Sequence, residues 1–193
     1  MEGWLIGAIP VVDPVSTVFS CAAQLNVRAA VVLLDAVLTP ADNYPGLRGG
    51  RPVFDTEEVT AKLARWGRFP GCATIRRALD LARPGAESPK ETETRLLLAS
   101  AGLPEPVMQH EVWGDSRLIA RVDLAYPQWR IAIEYEGDGH RTDAAQWRRD
   151  IQRQRALEER GWIVIRITQL DLVEGAASLL ASVRRAISSR DVR

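Results

Sequence analysis

The segment that most restricts the fold is "WIVIRIT", residues 162–168, a nearly continuous apolar run of the kind buried inside a sheet. Ahead of it lies a polar, strongly helical stretch, "TDAAQWRRDIQRQRALEERG", closed by Gly161. Three strand-like runs come before that helix, "VMQHEVW", "LIARVDLAYP" and "RIAIEYEG", separated by turns. A helix start precedes them in turn. Ser88 suits the N-cap, Pro89 the first helical position and Glu91 the N3 position, and Gly102 ends the helix before two prolines. A terminal helix covers about 175–188. The order α-β-β-β-α-β-α predicts an α/β domain over 87–193, a mixed β-sheet with helices on both faces.

Residues 1–86 read as a helical accessory region. "DPVSTVFSCAAQL" begins after a proline, and Asn26 can cap "VRAAVVLLDAVLT", whose Val27, Val31, Leu34 and Leu38 share a face. "PADNYPGLRGGRP" is a loop. Asp55 and Glu58 form a capping-box pattern at the head of "DTEEVTAKLARWG", and "TIRRALDLA" makes a last short helix. This half carries no catalytic constellation.

Composition excludes several classes. The formal net charge is zero, so overall charge predicts neither nucleic-acid nor membrane binding. No run approaches the roughly 18 apolar residues of a membrane span. The start, "MEGWLIGAIPVVDP", lacks the basic region of a secretory signal. Two cysteines, Cys21 and Cys72, and two histidines argue against a disulfide framework or a structural zinc site, and a cytoplasmic protein is expected. Lys62 and Lys90 are the only lysines among 25 basic residues, a bias that reflects genome composition and carries no functional weight.

Chemistry concentrates in "IAIEYEGDGHR", residues 131–141. Strand alternation puts Glu134 and Glu136 on one face and Ile131, Ile133 and Tyr135 on the other. Asp123 stands near the end of the preceding strand, in a register that the sequence leaves open. Burying three acids unpaired would cost several kcal/mol each, on the order of magnitude usual for charges, so a cation is the natural compensation. Oxygen ligands suit Mg²⁺ or Mn²⁺ and hence phosphoryl chemistry. Two plainer readings stand beside this one: a solvated acid pair on an edge strand, and Asp123 paired with Arg121 or Arg166. The helix that follows carries Arg141, Arg148, Arg149, Arg153 and Arg155 against Asp143 and Asp150. Its arginines suit either backbone phosphates or simple solvation, while Trp147 and Ile151 would face the sheet. His110 and the six tryptophans read as packing groups.

From Ser88 to about Leu172 the chain resembles the very-short-patch-repair-type endonucleases. It resembles more closely their relatives of the domain-of-unknown-function class common in actinobacteria, within the PD-(D/E)XK or restriction-endonuclease-like superfamily. The matching pieces are "SPKETETRLLLASAGLPEP", "ARVDLAYPQWRIAIEYEGDGHR", "QWRRDIQRQRALEERGWIVIRIT" and the following "DL". The resemblance implies a restriction-endonuclease-like sheet and a Mg²⁺- or Mn²⁺-dependent endonuclease acting on DNA. Asp123 would be the central metal-binding acid, Glu134 the second acid and Glu91 the glutamate of the first helix, a residue that the capping box also explains. Glu136 falls where the superfamily has its lysine. His140 then becomes the candidate for activating water, ahead of Lys90, and Gly139 stands where relatives often have a second histidine. Arg141, Arg148, Arg149 and Arg153 would hold DNA phosphates.

Longer proteins that resemble this chain are AbiEi-type antitoxins of type IV toxin-antitoxin systems, which carry an N-terminal winged helix. This implies an alternative: a non-catalytic DNA-binding regulator, here lacking its winged helix. A third expectation is a subunit whose helical half docks a partner protein or a second copy of itself.

Overall fold

The computed structural model describes residues 3–6, 8–40, 54–137 and 144–191, with backbone alone for 3, 4, 6 and 144–147. The chain divides into two compact units, Met1–Thr92 and Glu93–Arg193. The division falls inside a helix, Pro89–Ser100. Thr92 goes with the first unit because its hydroxyl donates to the buried Asp35 carboxylate at 2.9 Å, which also accepts the Arg83 N–H at 2.7 Å.

The first unit opens with a feature the sequence reading missed, an antiparallel hairpin of β1 (Gly3–Ile6) and β2 (Ile9–Val12). Among the described residues four α-helices follow: α1 (Pro14–Cys21), α2 (Val27–Leu38), α3 (Thr56–Trp66) and α4 (Cys72–Leu81). Their starts are set by side-chain caps. Asp13 accepts Ser16 N–H at 3.0 Å, Asn26 accepts Ala29 N–H at 2.8 Å, and Asp55 and Glu58 form the reciprocal box. Val31, Leu34 and Leu38 of the foreseen α2 stripe are buried, in a core that includes Val15, Phe19, Val59 and Ile75. Gly71, at φ 84°, lies so close to the Ala22 backbone that a Cβ would stand 2.3 Å from its carbonyl carbon. Only glycine meets both demands.

The second unit is α/β. Helix α5 (Pro89–Ser100) leads into β3 (Val107–Gly114), β4 (Arg117–Tyr126) and β5 (Ile131–Tyr135), followed by α6 (Ala144–Glu158) and β6 (Ile163–Ile167). A short helix α7 (Gln169–Val173), read from sequence only as a "DL" motif, precedes α8 (Ala176–Asp191). The strands form one mixed sheet in the order β3-β4-β5-β6, antiparallel except for the parallel pair β5 and β6. Helices cover both faces. Ile131 and Ile133 pack with Leu98 of α5 and with Leu179 and Val183 of α8, whereas Ala125 and Ala132 pack with Leu157 of α6. Among the described residues, no helix is long and apolar enough to cross a membrane.

Candidate metal and nucleic-acid site

The register left open by the sequence is settled by the ladder Leu124↔Ile133, Ala125↔Ala132 and Tyr126↔Ile131 between β4 and β5. Continued by one residue, it sets Asp123 across from Glu134. At that point a side chain takes over from the backbone, because Tyr135 N–H donates to Asp123 Oδ2 at 2.8 Å. The carboxylate is thereby fixed in position beside its neighbour. Strand β5 lies between β4 and β6, so the reading of a solvated pair on an edge strand does not hold.

The two glutamates part company despite sharing a strand face. Glu134 is only 6% exposed and receives Arg153 Nη2 of α6 on Oε1 at 2.7 Å. Glu136 lies just past the end of β5, is exposed, and is bound by the Arg166 guanidinium of β6. Burial pushes the Glu134 carboxyl above its usual range, and the Asp123 charge adds to this, while Arg153 and Arg166 oppose it. The acid thus sits in a site that favours a nearby cation, and the nearest one supplied is an arginine.

Arg153, one of the arginines expected to hold DNA phosphates, turns its guanidinium to Glu134 and to the Arg121 carbonyl at 3.3 Å. The signal was present in the sequence: Arg153 stands four residues before Leu157, which is fully buried, so the two share a face of α6. Arg148 and Arg149 are exposed on the same helix. Glu91 is buried in the first unit, where its carboxylate accepts Glu87 N–H at 2.9 Å and its own N–H donates to Ser88 Oγ at 3.2 Å. The Ser88 half of the capping box is thus formed, while the Glu91 carboxylate meets the N–H of Glu87, one residue before the N-cap. His140 and Arg141 lie outside the described residues, as does the Trp147 side chain. Ile151 is half-buried.

A separate opening of about 700 Å³ is lined by His110, Trp113, Arg130, Glu159, Arg160 and Trp162 and includes neither Asp123 nor Glu134. His110 packs against Trp162 with ring centroids 5.6 Å apart. Trp113 departs from the packing expectation at 58% exposure, its indole N–H held by Glu111 at 3.0 Å.

Among the described residues, no group of three or more His, Cys, Asp or Glu side chains is arranged to hold a metal ion. The two adjacent carboxylates nevertheless fit a hard divalent cation. Mg²⁺ takes one or two protein carboxylates and completes its shell with water and substrate phosphate.

No family model matches the chain, and no solved structure matches it significantly. Two Mycobacterium tuberculosis proteins, both described as uncharacterized (MT2308 and Rv2248), are each 31% identical over 172 residues, covering 89% of this chain. The chain spans 59% of the length of these relatives.

Proposed function

We propose that the chain is a metal-dependent endonuclease acting on DNA, with a restriction-endonuclease-like second unit related to the very-short-patch-repair group. The observation that carries the proposal is the placement of Asp123 opposite a buried Glu134 on adjacent inner strands. A buried carboxylate beside a second one is costly unless a cation is close, and proteins retain such arrangements at functional sites. Asp123 and Glu134 would hold Mg²⁺ or Mn²⁺. When bound, the ion would supply charge neutralisation at the scissile phosphate and a lowered pKa for its water.

The chain's own residues divide the remaining work. The Tyr135 N–H holds Asp123 in place. Arg166, tied to Glu136, brings positive charge to the end of β5 where the superfamily has its lysine. An arginine does not give up its proton at neutral pH, so it stabilises charge and does not act as a base. Water activation is assigned to His140, from the sequence resemblance alone. Exposed Arg148 and Arg149 suit backbone phosphates, which position a duplex without reading it. Glu91 is left as a helix cap.

The test is cleavage of supercoiled plasmid, nicked, mismatched and single-stranded DNA in Mg²⁺ or Mn²⁺, comparing wild type with Asp123→Ala. Equal activity in the two proteins would overturn the assignment. A second reading, a non-catalytic regulator related to type IV antitoxins, is favoured by one observation: Glu134 and Glu136 are each already engaged by an arginine. Failure of the protein to bind Mn²⁺ in titration calorimetry, with duplex DNA as well as without it, would support that reading over catalysis.

A further inference from the structure

The Arg153–Glu134 pair stands where the proposed metal would have to sit. Its guanidinium donates to the buried carboxylate at 2.7 Å, and Asp123 stands opposite that same glutamate. A guanidinium and a divalent ion repel one another, so an arginine held on Glu134 weakens the binding of a divalent ion to the same carboxylate. Arg153 is also not sealed in. Its side chain is 36% exposed, against 7% for that of Glu134, so the guanidinium is open to solvent on one side. Arg149 lies one helical turn earlier and Arg148 beside it, both exposed, on the helix that presents Arg153. A phosphate gathered by that surface would meet Arg153 from the solvent side, and a guanidinium N–H donates to a phosphate oxygen as readily as to a carboxylate.

We infer that Arg153 is an exchangeable internal cation: it neutralises Glu134 until a nucleic-acid phosphate draws it away, and its departure opens the Asp123–Glu134 pair to a divalent metal. The inference rests on the reading of Asp123 and Glu134 as metal ligands. It goes beyond that reading by making metal loading and duplex binding mutually dependent. Each then tightens the other by the same factor, as linkage requires.

The test measures binding, apart from turnover. Mn²⁺ is titrated calorimetrically into wild type, Arg153→Gln and Glu134→Gln without DNA. A labelled 20-bp duplex is then titrated by fluorescence anisotropy with and without Mn²⁺ at 4 °C, and its integrity is checked on a gel. The expected result is Mn²⁺ binding about tenfold tighter in Arg153→Gln than in wild type, and lost in Glu134→Gln. Duplex affinity of wild type should rise by a similar factor, about tenfold, with Mn²⁺, and that of Arg153→Gln should not. Thermal melts add a readout that a merely structural arginine would not give, since Mn²⁺ should raise the melting temperature of Arg153→Gln more than that of wild type. Should Arg153→Gln fail to fold, Arg153→Lys, which keeps charge but cannot reach Glu134 and the Arg121 carbonyl with one planar group, takes its place with a smaller gain in Mn²⁺ affinity. Mn²⁺ binding that Glu134→Gln abolishes but that is equal in wild type and the Arg153 variants overturns the exchange and leaves the metal site standing. Absence of Mn²⁺ binding in every protein, with and without duplex, overturns both.

Discussion

Asp13 in the first unit and Glu134 in the second are both buried carboxylates met by a basic side chain at 2.7 Å, and their surroundings drive them in opposite directions. Burial works against the Asp13 charge, but Lys62 and the Ser16 backbone N–H outweigh it and hold the acid below its ordinary range. Burial wins at Glu134, helped by the charge of Asp123. One pair is enclosed, with side chains 9% and 1% exposed, and caps the start of α1. The other has a partly solvated arginine and a second acid alongside. Equal ion-pair distances therefore conceal two purposes, one a fastening and the other a site with a poorly compensated charge.

The largest expected difference is in activity. Asp123→Ala should lower metal-dependent cleavage of plasmid DNA by about 10³-fold, the scale on which loss of a charge-stabilising group slows a transition state, whereas Lys62→Ala should leave cleavage by the folded fraction unchanged. Comparable losses from both, measured per folded molecule, would erase the distinction drawn between the pairs.

Stability should reverse that order. Lys62→Ala strands Asp13 in a buried position and should cost about 3–5 kcal/mol in urea unfolding of the full chain. Arg153→Ala also leaves a buried carboxylate without its cation but should cost less, about 1–3 kcal/mol, because the raised Glu134 carboxyl can take up a proton and solvent reaches the pair from the arginine side.

The two acids should also respond oppositely to neutralisation and to pH. The Asp13 carboxyl is held below its ordinary value of 3.8, so its contribution is present above that pH and is lost as pH falls through its lower folded value. Asp13→Asn should therefore be destabilising at pH 7 and converge on wild type in acid. The Glu134 carboxyl is held above its ordinary value of 4.5, so its contribution is present below that pH and is lost as pH rises through the higher folded value. Relative to wild type, Glu134→Gln should gain stability over that rising window, even as it removes metal binding. Urea midpoints between pH 3 and pH 8 would read both signs, and parallel pH profiles would refute the contrast. The smallest effect belongs to a cap remote from either pair: Asp55→Ala should cost about 1 kcal/mol by thermal or urea unfolding, with no change in cleavage.

Much of the fold was legible because local rules decided it. Asn26, Asp55 and Ser88 each announced a helix start that their side chains do make, and Gly102 and Gly161, both at positive φ, mark helix ends. The hairpin of β1 and β2 escaped notice because its strands are four residues each, too short for alternation to register. Of the site, the shared face of Glu134 and Glu136 followed from the two-residue strand period. Their difference in burial did not, since it depends on where β5 ends and on which helix lies over it.

The sequence by itself determined which residues could meet: side-chain period, caps and turns assign each acid to a strand and each arginine to a helix before any packing occurs. Tertiary structure alone decided which of them do meet. The pairing of Leu124 with Ile133 brings Asp123 to Glu134, and a slip of one residue would have sent every side chain on the strand to the other face. The seating of α6 through Leu157 gives Glu134 an arginine, and the parallel pairing of β5 with β6 gives Glu136 another. Register and helix placement are set by cooperative burial of apolar side chains distant in sequence, so no local pattern could have specified them.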